Sequence, residues 1–283
     1  MRKLIVTGDD FGLAVPVNEA IEEAHRRGVL TAASLMVGAG AVADAVARAR
    51  RLPTLKVGLH LVLVEGRPVL PPREISDLVD GRGEFSSCLV SAGLSFFFRP
   101  GVRRQLEAEV RAQFEAFAKT RLPLDHVNAH NHMHLHPTVL GLILKVGRDY
   151  GLKAVRVPYE PLLPSWRASG KALFSRAASW VCLRPWSALL KARLQRAGVR
   201  SNDYVFGLND SGQMDVDLVL RMLRHLPHGV TEIFFHPATR RCPEIDLTMP
   251  TYRHERELEA LVSPAVREAI RACGYERIAF SEL

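Results

Sequence analysis

A chain of 283 residues that is 47% hydrophobic and 24% charged can bury a sizeable core, as one large globular domain or two ordinary ones, and it shows no internal repeat or disordered tail. Its four cysteines, Cys88, Cys182, Cys242 and Cys273, are scattered without close spacing, which argues against a disulfide framework and against a cysteine zinc site. The net charge of +8 and pI near 9.6 would suit a nucleic acid or an anionic membrane, but no zinc finger, helix-turn-helix signature or aromatic base-stacking platform accompanies it, so nucleic acid is set aside as a partner.

Met1-Arg2-Lys3 runs straight into the short apolar stretch Leu4-Ile5-Val6-Thr7. That is far too brief for the apolar region of a signal peptide, and no window approaches an uncharged membrane span, so the protein is expected to be cytoplasmic. Gly8-Asp9-Asp10-Phe11-Gly12 comes next and places two carboxylates where a strand ends and a loop begins. In parallel α/β folds the carboxyl ends of strands collect reacting groups, because loops there vary over a rigid frame. Asp9 and Asp10 are expected to point to different sides and to hold different roles; turn or helix-capping aspartates ahead of Pro16 would look the same.

Over 15–27 the apolar positions Val17, Ala20, Ile21 and Ala24 recur at helical spacing, with Gly28 as the stop. Residues 31–37 read as a second strand, 41–51 as an alanine- and arginine-rich helix ended by Pro53, and Lys56-Val57-Gly58-Leu59-His60-Leu61 as a third strand. His60 sits near its carboxyl end, where a satisfied core histidine is the bland alternative to a ligand. Residues 64–98 carry Pro68, Pro71, Pro72, Gly81 and Gly83 and read as an elaborated loop over the active face. An amphipathic helix over 102–119, with Leu106, Val110, Phe114 and Phe117 inward, delivers the chain to its most unusual stretch.

Residues 126–137 read His-Val-Asn-Ala-His-Asn-His-Met-His-Leu-His-Pro, which holds five of the eleven histidines. Strand-like alternation would project His126, Asn128, His130 and His132 to one side and Val127 and Ala129 to the other. Alternate imidazoles at a strand end can offer nitrogens to one divalent cation; a structural or solvated histidine cluster is the alternative.

Residues 139–150 read as a helix closed by Gly151, and 153–160 as a strand ending at a proline. Arg156 lies near its carboxyl end, placed to hold a carboxylate by a forked pair or to serve a structural ion pair. The segment 162–199 contains all three tryptophans, seven Lys or Arg and no Asp or Glu. It reads as an amphipathic, cationic helical insertion, either in peripheral contact with an anionic membrane at its inner face or closing on the fold as a lid. Strands at 204–206 and 231–235, helices at 216–226, 253–262 and 264–273, and a closing strand at 278–280 complete the alternation, with His236-Pro237 just past a strand end. About seven β/α units predict an α/β fold: one domain over 1–283, a (β/α) TIM-like barrel, distorted or seven-stranded, with the insertion near 162–199.

Asp9, Asp10, His60, His130, Arg156 and His236 all fall at or just past predicted strand ends, so a barrel would gather them at one mouth. An Asp with two histidines is a suitable three-ligand set for a divalent ion that keeps open positions for water and substrate. A second carboxylate could deprotonate that water and a separate histidine protonate a departing amine, which is the chemistry of metal-assisted amide hydrolysis.

Thr7 to Gly12, Val57 to Leu61, His126 to His134, Arg156-Val157-Pro158 and Phe234-Phe235-His236-Pro237, in this order, resemble the YdjC-like carbohydrate deacetylases over nearly the whole chain, and most of all the subgroup associated with hopanoid biosynthesis. The resemblance implies a (β/α) barrel that binds one divalent metal ion, Mg²⁺ or Zn²⁺, and removes acetyl groups from N-acetylated sugars, with N-acetylglucosaminyl hopanoid glycolipids as the substrates proposed for that subgroup. By position it makes Asp10, His60 and one histidine of the cluster the metal ligands; His130, the nearer to the strand end, is taken as the third, with His132 its competitor. It makes Asp9 the general base, His236 the acid, and Arg156 the residue that steadies Asp9. Many relatives carry Asp where this chain has Asn128, so a carboxylate role there is lost and His126 becomes a structural residue. The other readings are a soluble chitooligosaccharide or N-acetyl-sugar deacetylase and a metal-dependent sugar-binding protein without turnover; a homodimer is the assembly considered.

Overall fold

The computed structural model describes residues 2–283 and opens on β1 (Arg2–Phe11), the strand at the centre of the sheet. Helix α1 (Val15–Arg27), β2 (Ala32–Leu35), α2 (Val42–Arg50) and β3 (Lys56–Leu61) succeed it in the expected alternation. Next come α3 (Leu89–Phe98), α4 (Pro100–Lys119), β4 (Leu124–Ala129) and α5 (Pro137–Gly147). The inserted segment forms α6 (Leu162–Ser169) and α7 (Leu173–Arg196). The chain ends with β5 (Tyr204–Phe206), α8 (Val216–His225), β6 (Gly229–Phe235), α9 (Pro243–Thr248), α10 (His254–Val262), α11 (Pro264–Ala272) and β7 (Glu276–Arg277).

Strand pairing is parallel in the order β4-β3-β2-β1-β6-β5, with β7 pairing only Lys3 and Leu4 of β1. Parity along β1 sets the two layers. Leu4 and Val6 pack in the main core with Val17 and Ile21 of α1, while Ile5 packs with Ala32, Ala154, Ile278 and Phe280 in a small cluster inside the curve of the sheet. Gly58 is a space requirement there: a Cβ would stand 2.5 Å from the His126 ring, so only glycine lets that imidazole lie across β3.

The sheet is a curled half-barrel rather than a full TIM barrel. Between β4 and β5 the gap is crossed by 153–157, expected as part of a regular strand over 153–160, and here only isolated bridges form. Val127 N–H donates to Ala154 O at 3.0 Å, Arg156 N–H to Val127 O at 3.1 Å and Val155 N–H to Arg200 O at 3.0 Å. Beyond Arg156 a side chain replaces the ladder. Asn202 Oδ1 accepts from Val157 N–H at 2.7 Å, and Asn202 Nδ2 donates to the carbonyls of Val157 and Tyr204 at 2.9 Å each. Pro158, with no N–H to donate, then ends any pairing.

Three other expectations change. The closing strand lies at Glu276–Arg277, and Phe280 begins a 3₁₀ turn. The loop 64–98 ends in a ten-residue helix, α3. The histidine alternation stops at Ala129, where the chain enters a 3₁₀ segment with Asn131 and His132 at φ 49° and 53°. The insertion is helical as expected: α7 buries Arg176, Ser187, Leu190 and Leu194 and leaves Phe174, Val181, Trp186 and Leu189 in solvent.

Candidate active site

The loop after β1 begins with a bulge. Gly8 pairs Ala33 and Phe11 pairs Leu35, three steps on β1 against two on β2, and Asp10 takes the left-handed φ of 62°. In an unbroken strand Asp10 would face the helices. The bulge instead returns it to the interior beside Asp9, so the two carboxylates serve one cleft rather than opposite faces. Asp10 Oδ1 lies 3.3 Å from His60 Nε2 and 3.5 Å from His130 Nδ1, and one ligand atom from each of the three lies within 4.8 Å of the others.

The chemistry of this set fits a divalent cation. Both Asp10 oxygens are buried and neither has a hydrogen-bond partner, a condition that costs several kcal/mol for an ionised carboxylate unless a cation completes it. Burial would raise the Asp10 pKa, but the His130 and His60 imidazoles hold it well below the usual carboxylate range. Burial would likewise lower His130, yet Asp10 and Glu65 lift it to about 9. A proton on His130 therefore does the neutralising, and a cation that takes its place must displace that proton.

Beside the triad, Arg156 is fully buried between two carboxylates. It donates to Asp9 at 2.6 and 3.0 Å and to Glu232 at 2.9 and 2.7 Å, and its guanidinium stands 4.8 Å from the centre of the Phe234 ring. Thr7 Oγ1 donates to Glu232 at 2.7 Å. Burial would push Asp9 up, but Arg156, with help from His60 and His236, holds it well below the ordinary value, so Asp9 stays ionised. Glu232 was missed in the sequence; the signal was a glutamate inside an otherwise apolar strand, which a buried cation has to answer.

Asn128 touches His60 Nδ1 at 2.7 Å. With Oδ1 against the ring, Nδ1–H donates to it and Nε2 keeps its lone pair towards Asp10, the state a metal ligand requires. With the amide turned over, Oδ1 accepts from the Arg156 nitrogens at 2.9 and 3.1 Å, Nδ2 donates to Nδ1, and Nε2 carries the proton. The neutral amide thus couples the Arg156 clamp to the His60 tautomer. His126 lies outside the cleft, between Ser34 Oγ at 3.1 Å and Asp125 Oδ2 at 2.9 Å, stacked on Phe280.

His236 projects from the end of β6, with Ser211 Oγ 3.4 Å from its Nδ1. Its backbone is held twice. Its N–H donates to Glu257 Oε2 at 2.5 Å, and its carbonyl accepts from His254 Nδ1 at 2.6 Å. Glu257 also accepts from Met214 N–H at 3.2 Å, so one buried carboxyl ties the His236 strand end to the loop bearing Ser211. Burial lowers the His236 pKa against the pull of Asp10 and Asp9, leaving a neutral ring. Sequence reasoning missed Ser211 and Glu257; a glutamate on an amphipathic helix reads as solvated unless its partner is seen.

A cleft of about 200 Å³ is lined by Asp9, His60, His130, His132, Phe234 and His236, with Glu65, Ser211 and Tyr252 at its sides. All the strand-end residues singled out in the sequence are thus brought together, Asp10 at the floor and Arg156 behind Asp9. His132 stands on the wall but outside the triad, its ring 5.5 Å from that of Phe234; burial, then the Arg156 charge, pushes it down to about 3. His134 is buried deeper, and His136 caps α5 by accepting from Thr138 N–H. One of five clustered histidines joins the triad.

Fold and cleft together define a parallel α/β protein whose strand ends carry an Asp-His-His set beside a clamped, ionised carboxylate. The chain belongs to the YdjC-like protein family, whose model matches residues 3–272. It is 31% identical over 287 residues to the carbohydrate deacetylase of Brevibacillus brevis, covering 99% of both chains. It is 29% identical to the carbohydrate deacetylase of Mus musculus, covering 99% of this chain and 94% of that one. Among solved structures, a candidate cellobiose-phosphate cleavage protein from Enterococcus faecalis V583 superposes with a TM-score of 0.78 at 26% identity, covering 99% of this chain and 98% of that one.

Proposed function

We propose that this protein is a metal-assisted hydrolase that removes the acetyl group from an N-acetylated amino sugar. The observation that carries the reading is the buried Asp10 carboxylate, without a hydrogen bond and facing two imidazoles, beside the ionised Asp9 on the cleft wall. Kinship with carbohydrate deacetylases supports the substrate class. Asp10, His60 and His130 would hold the ion, and two nitrogens with one carboxylate suit Zn²⁺ better than Mg²⁺, which prefers oxygen. When bound, such an ion supplies Lewis acidity at the acetyl carbonyl and acidifies water.

The side chains do the rest. Asp9 accepts the proton of the attacking water; Arg156 keeps it oriented and ionised, at the expense of basicity, which suits it to a water already made acidic. His236, neutral in the resting site, takes up a proton and delivers it to the sugar nitrogen as the C–N bond breaks, its depth fixed by Glu257 and His254. The finer reading is an N-acetylglucosaminyl hopanoid glycolipid as substrate, favoured by the exposed apolar helices that leave the same end of the sheet; a soluble chitooligosaccharide is the alternative.

Acetate release from N-acetylglucosaminyl hopanoid and from di-N-acetylchitobiose tests both levels. Zn²⁺-loaded protein is expected to release acetate, and Asp10→Asn to lose both metal binding and at least about 10³-fold in rate, several kcal/mol of transition-state stabilisation. Release from the soluble sugar alone discards the glycolipid, and release from neither with metal bound discards the deacetylase.

A further inference from the structure

Two helices on this protein turn apolar residues to solvent. Along α7 the exposed positions Phe174, Ala178, Val181, Pro185 and Leu189 recur at helical spacing and form a stripe roughly 22 Å long, with Phe174 90% and Val181 63% exposed. Its inward side carries Arg176 and Ser187 as well as Leu190 and Leu194: Arg176 donates to Ser165 and Asp210, and Ser187 to the Pro158 carbonyl. Helix α3 is nearly all apolar and likewise leaves Val90 73% and Phe98 68% exposed, beside Leu94 and Phe97. Single exposed apolar residues need no explanation, but contiguous stripes of this length mark a covered surface.

The two helices share one side of the molecule. Each belongs to a segment that leaves the carboxyl end of the sheet, α3 after β3 and α7 after Val157, and both reach the start of α5. Phe96 and Phe97 of α3 lie 6.1 and 5.9 Å from the His136 ring, and Arg193 of α7 donates to the Pro137 carbonyl at 2.7 Å. His136 closes the histidine segment that lines the cleft, so the apolar surface stands on the cleft side.

Charge selects the occupant. Residues 162–199 contain no acid, and neither do 85–106, while Arg104, Arg167, Lys171 and Arg184 are exposed around the stripes. Trp186 is part of the exposed α7 surface, and Arg184 stands 4.9 Å above the Trp180 ring, an amphipathic pair suited to a headgroup layer. A two-fold contact between copies would set this cationic rim against itself, whereas anionic headgroups over acyl chains answer both the charge and the apolar stripe.

The geometry points to the outward faces of α3 and α7 as a docking surface for an anionic lipid bilayer, which presents the cleft side to the membrane. This stands apart from the deacetylase reading. The test is co-sedimentation of the full chain with phosphatidylcholine vesicles with and without phosphatidylglycerol, and quenching of tryptophan emission by brominated lipid. The chain is expected to bind the anionic vesicles, less at high salt, with its tryptophans quenched. Phe174→Ser with Val181→Ser, and separately Val90→Ser with Phe98→Ser, are each expected to weaken the partition at least about tenfold while the thermal transition stays in place, since these side chains already face water. No binding, binding undiminished by both pairs, or light scattering that shows a stable dimer dissociated by them overturns the proposal; the last would assign the surface to a second copy of the chain.

Discussion

Arg156 and Arg176 are both buried cations paired with carboxylates, and they organise opposite kinds of region. Arg156 lies under the cleft, where Asp9, Glu232 and Asp10 outnumber it; the proton on His130 answers part of that deficit, and a divalent cation in its place would answer it in full. Arg176 lies under α7 and meets Ser165, Asp210 at 2.5 Å and, at 3.6 Å, Glu160, which Ser165 also touches. Here the polar groups act as a peg that leaves apolar residues outside. The same residue type thus builds a floor that points its charge at a ligand and an anchor that spends its charge on attachment.

Substitutions can separate the two. Arg156→Met would strand Asp9 and Glu232 without their cation, and is expected to cost about 3–5 kcal/mol in urea unfolding, partly recovered in Arg156→Met with Glu232→Gln. No loss, or no recovery, would mean the clamp is not the floor's main support.

Glu257, at the edge of the floor, gives the next effect through pH. Burial raises its carboxyl from 4.5 to about 7, against the pull of the His236 and Met214 N–H donors. Between those values the folded protein holds a proton that the unfolded chain has released. Stabilisation present below about pH 4.5 is therefore lost as the pH rises to about 7, on the order of 3 kcal/mol. Urea unfolding across this range should show the decline in the wild type and a flatter profile in Glu257→Gln; equal slopes would remove Glu257 as its source.

Asn128→Ala tests the link between floor and triad. It is expected to weaken Zn²⁺ affinity by about 10–100-fold in calorimetric titration, because His60 loses the group that sets its tautomer. Unchanged affinity would show that Asp10 orients His60 by itself. The smallest shift is expected at the anchor: Arg176→Met should cost about 1–2 kcal/mol of global stability while proteolysis within 162–199 accelerates. A loss as large as that of Arg156→Met would erase the distinction between floor and anchor.

Much of this was legible in the chain. The β1, α1, β3, α8 and β6 segments could be read from periodicity and punctuation, and strand ends are where a parallel sheet gathers its polar residues, so Asp9, Asp10, His60, His130, Arg156 and His236 arrive together. The illegible parts turned on side chains doing backbone work or on which way a helix faces. Asn202 pairing with Val157 looks like any loop asparagine. Phe174, Val181 and Leu189 suit a membrane-facing stripe and a packed lid alike, and the peg at Arg176 shows that the stripe points outward. Glu257 reads as solvated until its buried donors are known, and the histidine run promised more ligands than a chain leaving its strand at Ala129 can aim.

The bulge at Asp9 and Asp10 makes the site a matter of counting as well as chemistry. Only Asp9 and Asp10 lie between Gly8 and Phe11, so deleting either restores matched steps with β2 but leaves one carboxylate, in the interior place next to Gly8, where the cleft uses two. Variation by substitution leaves that frame intact, whereas the loss of one residue here dismantles it with His60 and His130 untouched.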